Sequence, residues 1–175
     1  VLPMIEANER PEQIPLSFSQ ERLWFIDRLE GSVQYHIPAV FRLKGELNKD
    51  ALSKALQSIV ERHEVLRTVI YEENGNGYQK IIESSDWKLN KVEDYKFNND
   101  PDELQSIIQE LINKPFELSK DFMLRADLIT IDKKDSILVV TMHHISSDGW
   151  SLSVIVNELA ELYRAYDENR NADLM

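Results

Sequence analysis

A chain of 175 residues with 42% hydrophobic content can bury one sizeable core but not two, and 31 acidic against 20 basic residues give a net charge of −11 that would repel a phosphate backbone and argues against nucleic acid as a partner. With no Cys, disulfides, a thiolate nucleophile and thiolate metal ligands are excluded, in keeping with a reducing compartment. No apolar run approaches the roughly 20 residues that cross a bilayer, and Val1 to Pro15 has neither a basic n-region nor an apolar h-region, so a soluble, cytoplasmic chain with no membrane partner is expected.

Residues 1–15 read as an inter-domain linker, because Glu6 to Pro15 is polar, carries two prolines and lacks periodicity. Residues 16–175 read as one folded unit. Ser17 followed by Gln20 has the capping-box spacing, and Leu23, Trp24, Phe25, Ile26 and Leu29 then predict a largely buried first helix that stops at Gly31. Ile37 to Leu43 predicts a strand, Gly45 a turn, and Leu52, Ala55, Leu56 and Ile59 a helix from about Asn48 to His63. Thr68 to Tyr71 and Tyr78 to Ile82 flank Asn74-Gly75-Asn76-Gly77, which predicts a hairpin. After a weaker strand near Trp87 to Val92, Leu104, Ile107, Ile108, Leu111 and Ile112 place a helix over Pro101 to Asn113. Leu124 to Ile131 and Ile137 to Met142 predict two strands around Asp132-Lys133-Lys134-Asp135, and Leu152, Ile155, Leu159, Leu162 and Tyr166 a last amphipathic helix. The fold class expected from this order is α/β, a mixed β-sheet with helices packed mainly on one side.

The strand Ile137 to Met142 runs into His143 and His144, which alternation sends to opposite faces if the chain stays extended, so that one of them at most serves a single site. A turn at Asp148-Gly149 would bring backbone N–H groups and the start of the last helix near the imidazoles, an arrangement suited to acyl transfer to an amine. From the residues alone, a histidine after a buried strand is more often a hydrogen-bonded packing residue than a catalyst. Adjacent strand residues do not readily chelate one ion, so no metal site is expected.

Three segments, in order, resemble the core motifs of the condensation domains of nonribosomal peptide synthetases. Ser17 to Trp24 (SFSQERLW) is similar to S-x-A-Q-x-R-(L/M)-(W/Y), with Ser19 in place of Ala; Arg62 to Thr68 (RHEVLRT) to R-H-E-x-L-R-T; and Met142 to Ser151 (MHHISSDGWS) to M-H-H-x-x-x-D-G-x-S. The resemblance implies the amino-terminal lobe of a chloramphenicol-acetyltransferase-like fold, whose second lobe has no counterpart here. It implies that His144 is the catalytic residue, with His143 structural, Asp148 paired with Arg67 to hold the loop, Gly149 admitting the acceptor arm, and Ser151 closing the motif. Arg62, His63 and Glu64 read equally well as a solvated helix end. The implied reaction is amide formation between thioesters on two carriers. No cofactor is expected to bind directly, phosphopantetheine arriving on the carrier proteins. The implied partners are the upstream and downstream peptidyl carrier domains, the second lobe and adjacent synthetase domains. The motif wording leans toward the type joining two L-residues. Two alternatives are an acyl-CoA-type acyltransferase of the same fold and a non-catalytic carrier-docking module.

Overall fold

Two sheets and four helices make up the computed structural model, which describes residues 9–92 and 101–174; the first eight residues of the expected linker lie outside the described residues. In chain order the elements are β1 (Ile14–Pro15), α1 (Phe18–Glu30), β2 (His36–Lys44), α2 (Lys49–Arg62), β3 (Thr68–Glu73), β4 (Asn76–Ile81), β5 (Asn90–Val92), α3 (Pro101–Asn113), β6 (Leu124–Asp132), β7 (Asp135–His143) and α4 (Gly149–Asp167). The larger sheet has the order β2-β7-β6-β5, antiparallel except for the β5–β6 pair, which makes it mixed as expected. The smaller sheet has the order β1-β4-β3. Its first strand comes from the segment read as linker, since Ile14 and Pro15 pair with Gln79 and Tyr78.

Alternation along the central strands sorts the core. Leu138, Val140 and Met142 of β7, with Leu124, Ala126 and Leu128 of β6, meet Leu52, Leu56 and Ile59 of α2 and Ile155 and Leu162 of α4. Ile137, Val139 and Ile129 point the other way, onto Ile107 and Ile108 of α3. Two helices thus cover one face and α3 part of the other, and every residue of β7 is buried. A strand covered on both faces has no use for polar positions, which is why Ile137 to Met142 is nearly all apolar. Burying a side chain such as Leu56 or Ile59, neither with any exposed surface, stabilises the fold by about 1.5–3 kcal/mol.

The β3–β4 hairpin closes on Asn74 and Gly75 alone, with φ of 52° and 82°, the two positive values of a type I′ turn, while Asn76 and Gly77 already belong to β4. Gly77 is needed for a different reason: a Cβ there would stand 2.7 Å from Leu16 Cδ1 and 3.1 Å from Trp24 Cε3.

Helix α1 departs from expectation. Its capping box forms as the sequence predicts, Ser17 Oγ accepting from Gln20 N–H and Gln20 Oε1 from Ser17 N–H. None of its residues is buried, however, and Phe18, Phe25 and Leu29 are 92%, 59% and 70% exposed. The helix rests on the hairpin through Trp24 and through Gln20–Gln79 and Arg28–Glu72 contacts, and no described residue covers its opposite, apolar stripe.

Candidate active site

Strand β7 ends at His143, and the five residues between it and α4 form the turn that carries the double-histidine motif. The two imidazoles part as alternation predicts: His143 is fully buried and His144 is exposed. Register explains the first. His143 is the ladder partner of His36, on the face that α3 covers, and its ring lies edge-on to those of His36 and Phe116, with centroids 5.9 and 5.7 Å away. Burial pushes the His143 imidazole down to about 4, and His36 and His144 act in the same direction. It is therefore neutral at neutral pH.

His143 is tied on both ring nitrogens. Nδ1 accepts from Ile145 N–H at 3.1 Å, and Nε2 lies 2.9 Å from Ser32 Oγ, which itself contacts Asp27 Oδ1. Its backbone N–H donates to Met123 O, and its carbonyl accepts from Ser146 N–H and Ser146 Oγ. His144 is held by its main chain, the N–H donating to Tyr35 O at 2.9 Å, which leaves the ring directed away from the core. Beside it starts the 19-residue helix α4, whose N-terminus carries partial positive charge.

Asp148 is the N-cap of α4. Its carboxylate accepts from Ser151 N–H at 2.9 Å and Ser151 Oγ at 2.7 Å, and Ser151 Oγ accepts in return from Asp148 N–H. These bonds to the charged form, the Ser151 hydroxyl first among them, hold the Asp148 carboxyl below its usual range. The implied pair with Arg67 is corrected by this geometry. Arg67 Nη1 donates to Ile82 O at 2.9 Å and Nη2 lies 3.7 Å from Glu64, so its guanidinium secures the turn before β3 while Asp148 secures α4. The cap also takes up Ser151 N–H, one of the backbone donors at the start of α4. Gly149, in contrast, stands open: a Cβ would meet nothing within 4 Å, and its φ is not positive.

The second motif proves to be more than a solvated helix end. His63 Nε2 and Arg62 Nε contact the two oxygens of Glu158 at 2.7 and 3.1 Å, bracing the end of α2 against α4. Sequence reasoning also missed Asp27, Ser32 and His36 as neighbours of the motif. The β2–β7 register brings His36 to His143, and a register between strands so far apart in the chain leaves no mark in either one.

A family model for the condensation domain matches residues 11–175. Among curated proteins, the dimodular nonribosomal peptide synthase of Bacillus subtilis (strain 168) is 36% identical over 176 residues, 98% of this chain and 7% of that protein. The probable non-canonical nonribosomal peptide synthetase CymA of Salinispora arenicola (strain CNS-205) is 43% identical over 155 residues, 88% of this chain and 2% of that one. Among solved structures, the X-domain in its complex with OxyB from teicoplanin biosynthesis superposes with a TM-score of 0.86 at 30% identity, over 99% of this chain and 37% of that one. The starter condensation domain of rhizomide synthetase RzmA gives 0.83 at 18% identity over 94% and 40%, a likeness of fold. The chain thus spans a small fraction of the curated proteins and well under half of the solved ones.

Proposed function

The chain belongs to the condensation-domain family, and from that premise we propose that it is the amino-terminal lobe of a domain that joins two carrier-bound thioesters into an amide during nonribosomal peptide synthesis. The observation that carries the proposal is the division of labour in the double histidine: a buried, neutral His143 fixes the turn, and an exposed His144 projects from it beside the start of α4.

In the reaction, the α-amine of the downstream aminoacyl thioester attacks the upstream thioester carbonyl. The C–N bond forms, the C–S bond breaks, and the proton lost by the amine ends on the departing thiol. In this reading His144, exposed on the turn, takes or orients that proton. Phosphopantetheine arms arrive on the upstream and downstream carrier domains, and the open side of Gly149 fits the approach of such an arm. The second lobe completes the site, so the lobe alone is inactive.

The test uses the parent synthetase module containing this lobe, with two loaded carriers, following amide product on the downstream carrier by intact-protein mass spectrometry. His144→Ala is expected to slow product formation by about 10²–10⁴-fold. Equal rates from both forms would remove His144 as the proton acceptor.

One observation favours a second reading. The X-domain, a close structural match of which this chain covers 37%, was solved in complex with OxyB, so a domain that contains this fold can bind a protein partner. A docking module would leave the His144→Ala variant fully competent in recruiting its partner and would yield no amide in either form.

A further inference from the structure

Hydrogen-bond polarity around His143 can be read without ambiguity. A backbone N–H can only donate, so the Ile145 N–H bond makes Nδ1 an acceptor. The ring, neutral because it is buried, therefore carries its proton on Nε2 and donates it to Ser32 Oγ at 2.9 Å. Ser32 has one proton of its own, which this arrangement directs to the carboxylate of Asp27, a group that can only accept when ionised. The result is a one-way chain: Ile145 N–H to His143, His143 to Ser32, Ser32 to Asp27. Ser32 is 3% exposed and His143 fully buried, so water is no substitute for either partner. The chain connects α1, the turn after Gly31 and the residue directly following His144.

We propose that Ser32 and Asp27 are positioning residues for the active-site turn, fixing the tautomer of His143 and through it the backbone from which His144 projects. The proposal deepens the condensation reading and rests on it. Ser32 and Asp27 touch neither substrate nor reacting atoms in this role. Their effect runs through Ile145: a ring held in the Nε2–H form presents a lone pair to Ile145 N–H, whereas the Nδ1–H form would present a proton there and drive the turn out of place. The other ionisable groups facing His143 are His36 on β2 and the neighbouring His144, both of which act against protonating it. His36 is itself fixed with its proton on Nδ1 by the carbonyl of Ile112 at 2.7 Å, so it does not compete for Ser32.

Nitrogen-15 NMR of histidine-labelled chain gives the readout that a merely structural role would not move. His143 is expected in the Nε2–H tautomer at neutral pH, with a slowly exchanging ring proton. That proton should be lost to rapid exchange in Ser32→Ala and in Asp27→Ala, and retained in Asp27→Asn, whose amide oxygen still accepts from Ser32. In the parent module, Ser32→Ala and Asp27→Ala are expected to lower kcat by about 10–100-fold with little change in KM for either carrier, since a misplacement of around 1 Å costs that much. Asp27→Asn should recover most of the rate. Should Ser32→Ala fail to fold, the partly exposed Asp27 pair decides the matter alone. An Nδ1–H tautomer in the wild type overturns the proposal, as does an unchanged kcat in Asp27→Ala measured beside an impaired His144→Ala. Unchanged rates in all variants, His144→Ala included, would overturn the functional reading beneath it.

Discussion

His143 shows how a single buried imidazole sets the pH range of the fold. Its folded-state pKa lies near 4, below the ordinary value of 6.5 that applies when the chain unfolds. Between those values the unfolded chain binds the extra proton, so stability is fully present above pH 6.5 and is lost as pH falls toward 4, by up to about 3 kcal/mol. Urea unfolding at a series of pH values should show this loss, and His143→Gln, neutral throughout, should flatten the curve in that window. A curve of the same slope in both forms would locate the sensitivity elsewhere. Asp135, held low by Arg42 and Lys44 across the β2–β7 edge, acts in the same direction but only at more acid pH, below the ordinary carboxylate range. Gly149 makes the contrasting case. Because its Cβ position is empty and its φ is negative, the fold has no need of glycine there. Gly149→Ala should leave the melting temperature unchanged or raise it, since Ala is favoured over Gly within a helix by about 1 kcal/mol, while slowing amide formation by obstructing the acceptor arm. Wild-type turnover in that variant would refute a role in admitting the arm.

At the scale of elements, Gly77 joins the hairpin to α1. An added methyl would collide with Leu16 and Trp24 at 2.7 and 3.1 Å, and overpacking of this kind typically costs about 1–3 kcal/mol. Gly77→Ala is therefore expected to lower the denaturation midpoint measured by circular dichroism; an unchanged midpoint would mean that both side chains swing aside without cost. The elements themselves were legible because local rules govern them. The Ser17–Gln20 cap, the β7 apolar run and the α3 stripe are written in residues a few positions apart, and each forms where the sequence places it. Long-range pairing was not. The Asn76–Gly77 pair has turn composition, yet β3 register draws it into β4. The same reason governs the site: His143 and His144 stand out as a motif, but the partners Ser32 and Asp27 lie more than a hundred residues before His143, and only folding joins them. Asp148 was legible as a residue of the motif and misassigned in its contact. The Asp148-Gly149-Trp150-Ser151 spacing is that of an N-cap and its N3 partner, and that local bond prevails over a distant arginine.

Over the whole molecule, the discrepancy in α1 has the largest consequence. Phe18, Phe25 and Leu29 recur at intervals of seven and four, so they form one stripe along the helix, and on α4 Trp150 and Val154, 83% and 48% exposed, form a second, shorter one. Sequence reasoning assigned Phe25 and Leu29 of the α1 stripe to a buried helix because an apolar run reports that a face is covered without saying by what. Here the described residues of the lobe do not cover it, and contiguous exposed apolar surface is a mark of an interaction face. A net charge of −11 opposes self-association but does so through long-range repulsion, which salt screens. The lobe by itself should therefore be monomeric at low ionic strength and should associate increasingly as salt and concentration rise, as read by sedimentation velocity. Phe25→Glu with Leu29→Glu, both solvent-facing, should abolish the association without shifting the melting temperature. In the parent module the same pair should impair the domain only if α1 packs against its second lobe or a carrier. Association that persists unchanged in the double variant would assign the exposed apolar contact to α4 instead, and the Trp150→Glu variant would then be the one that prevents it.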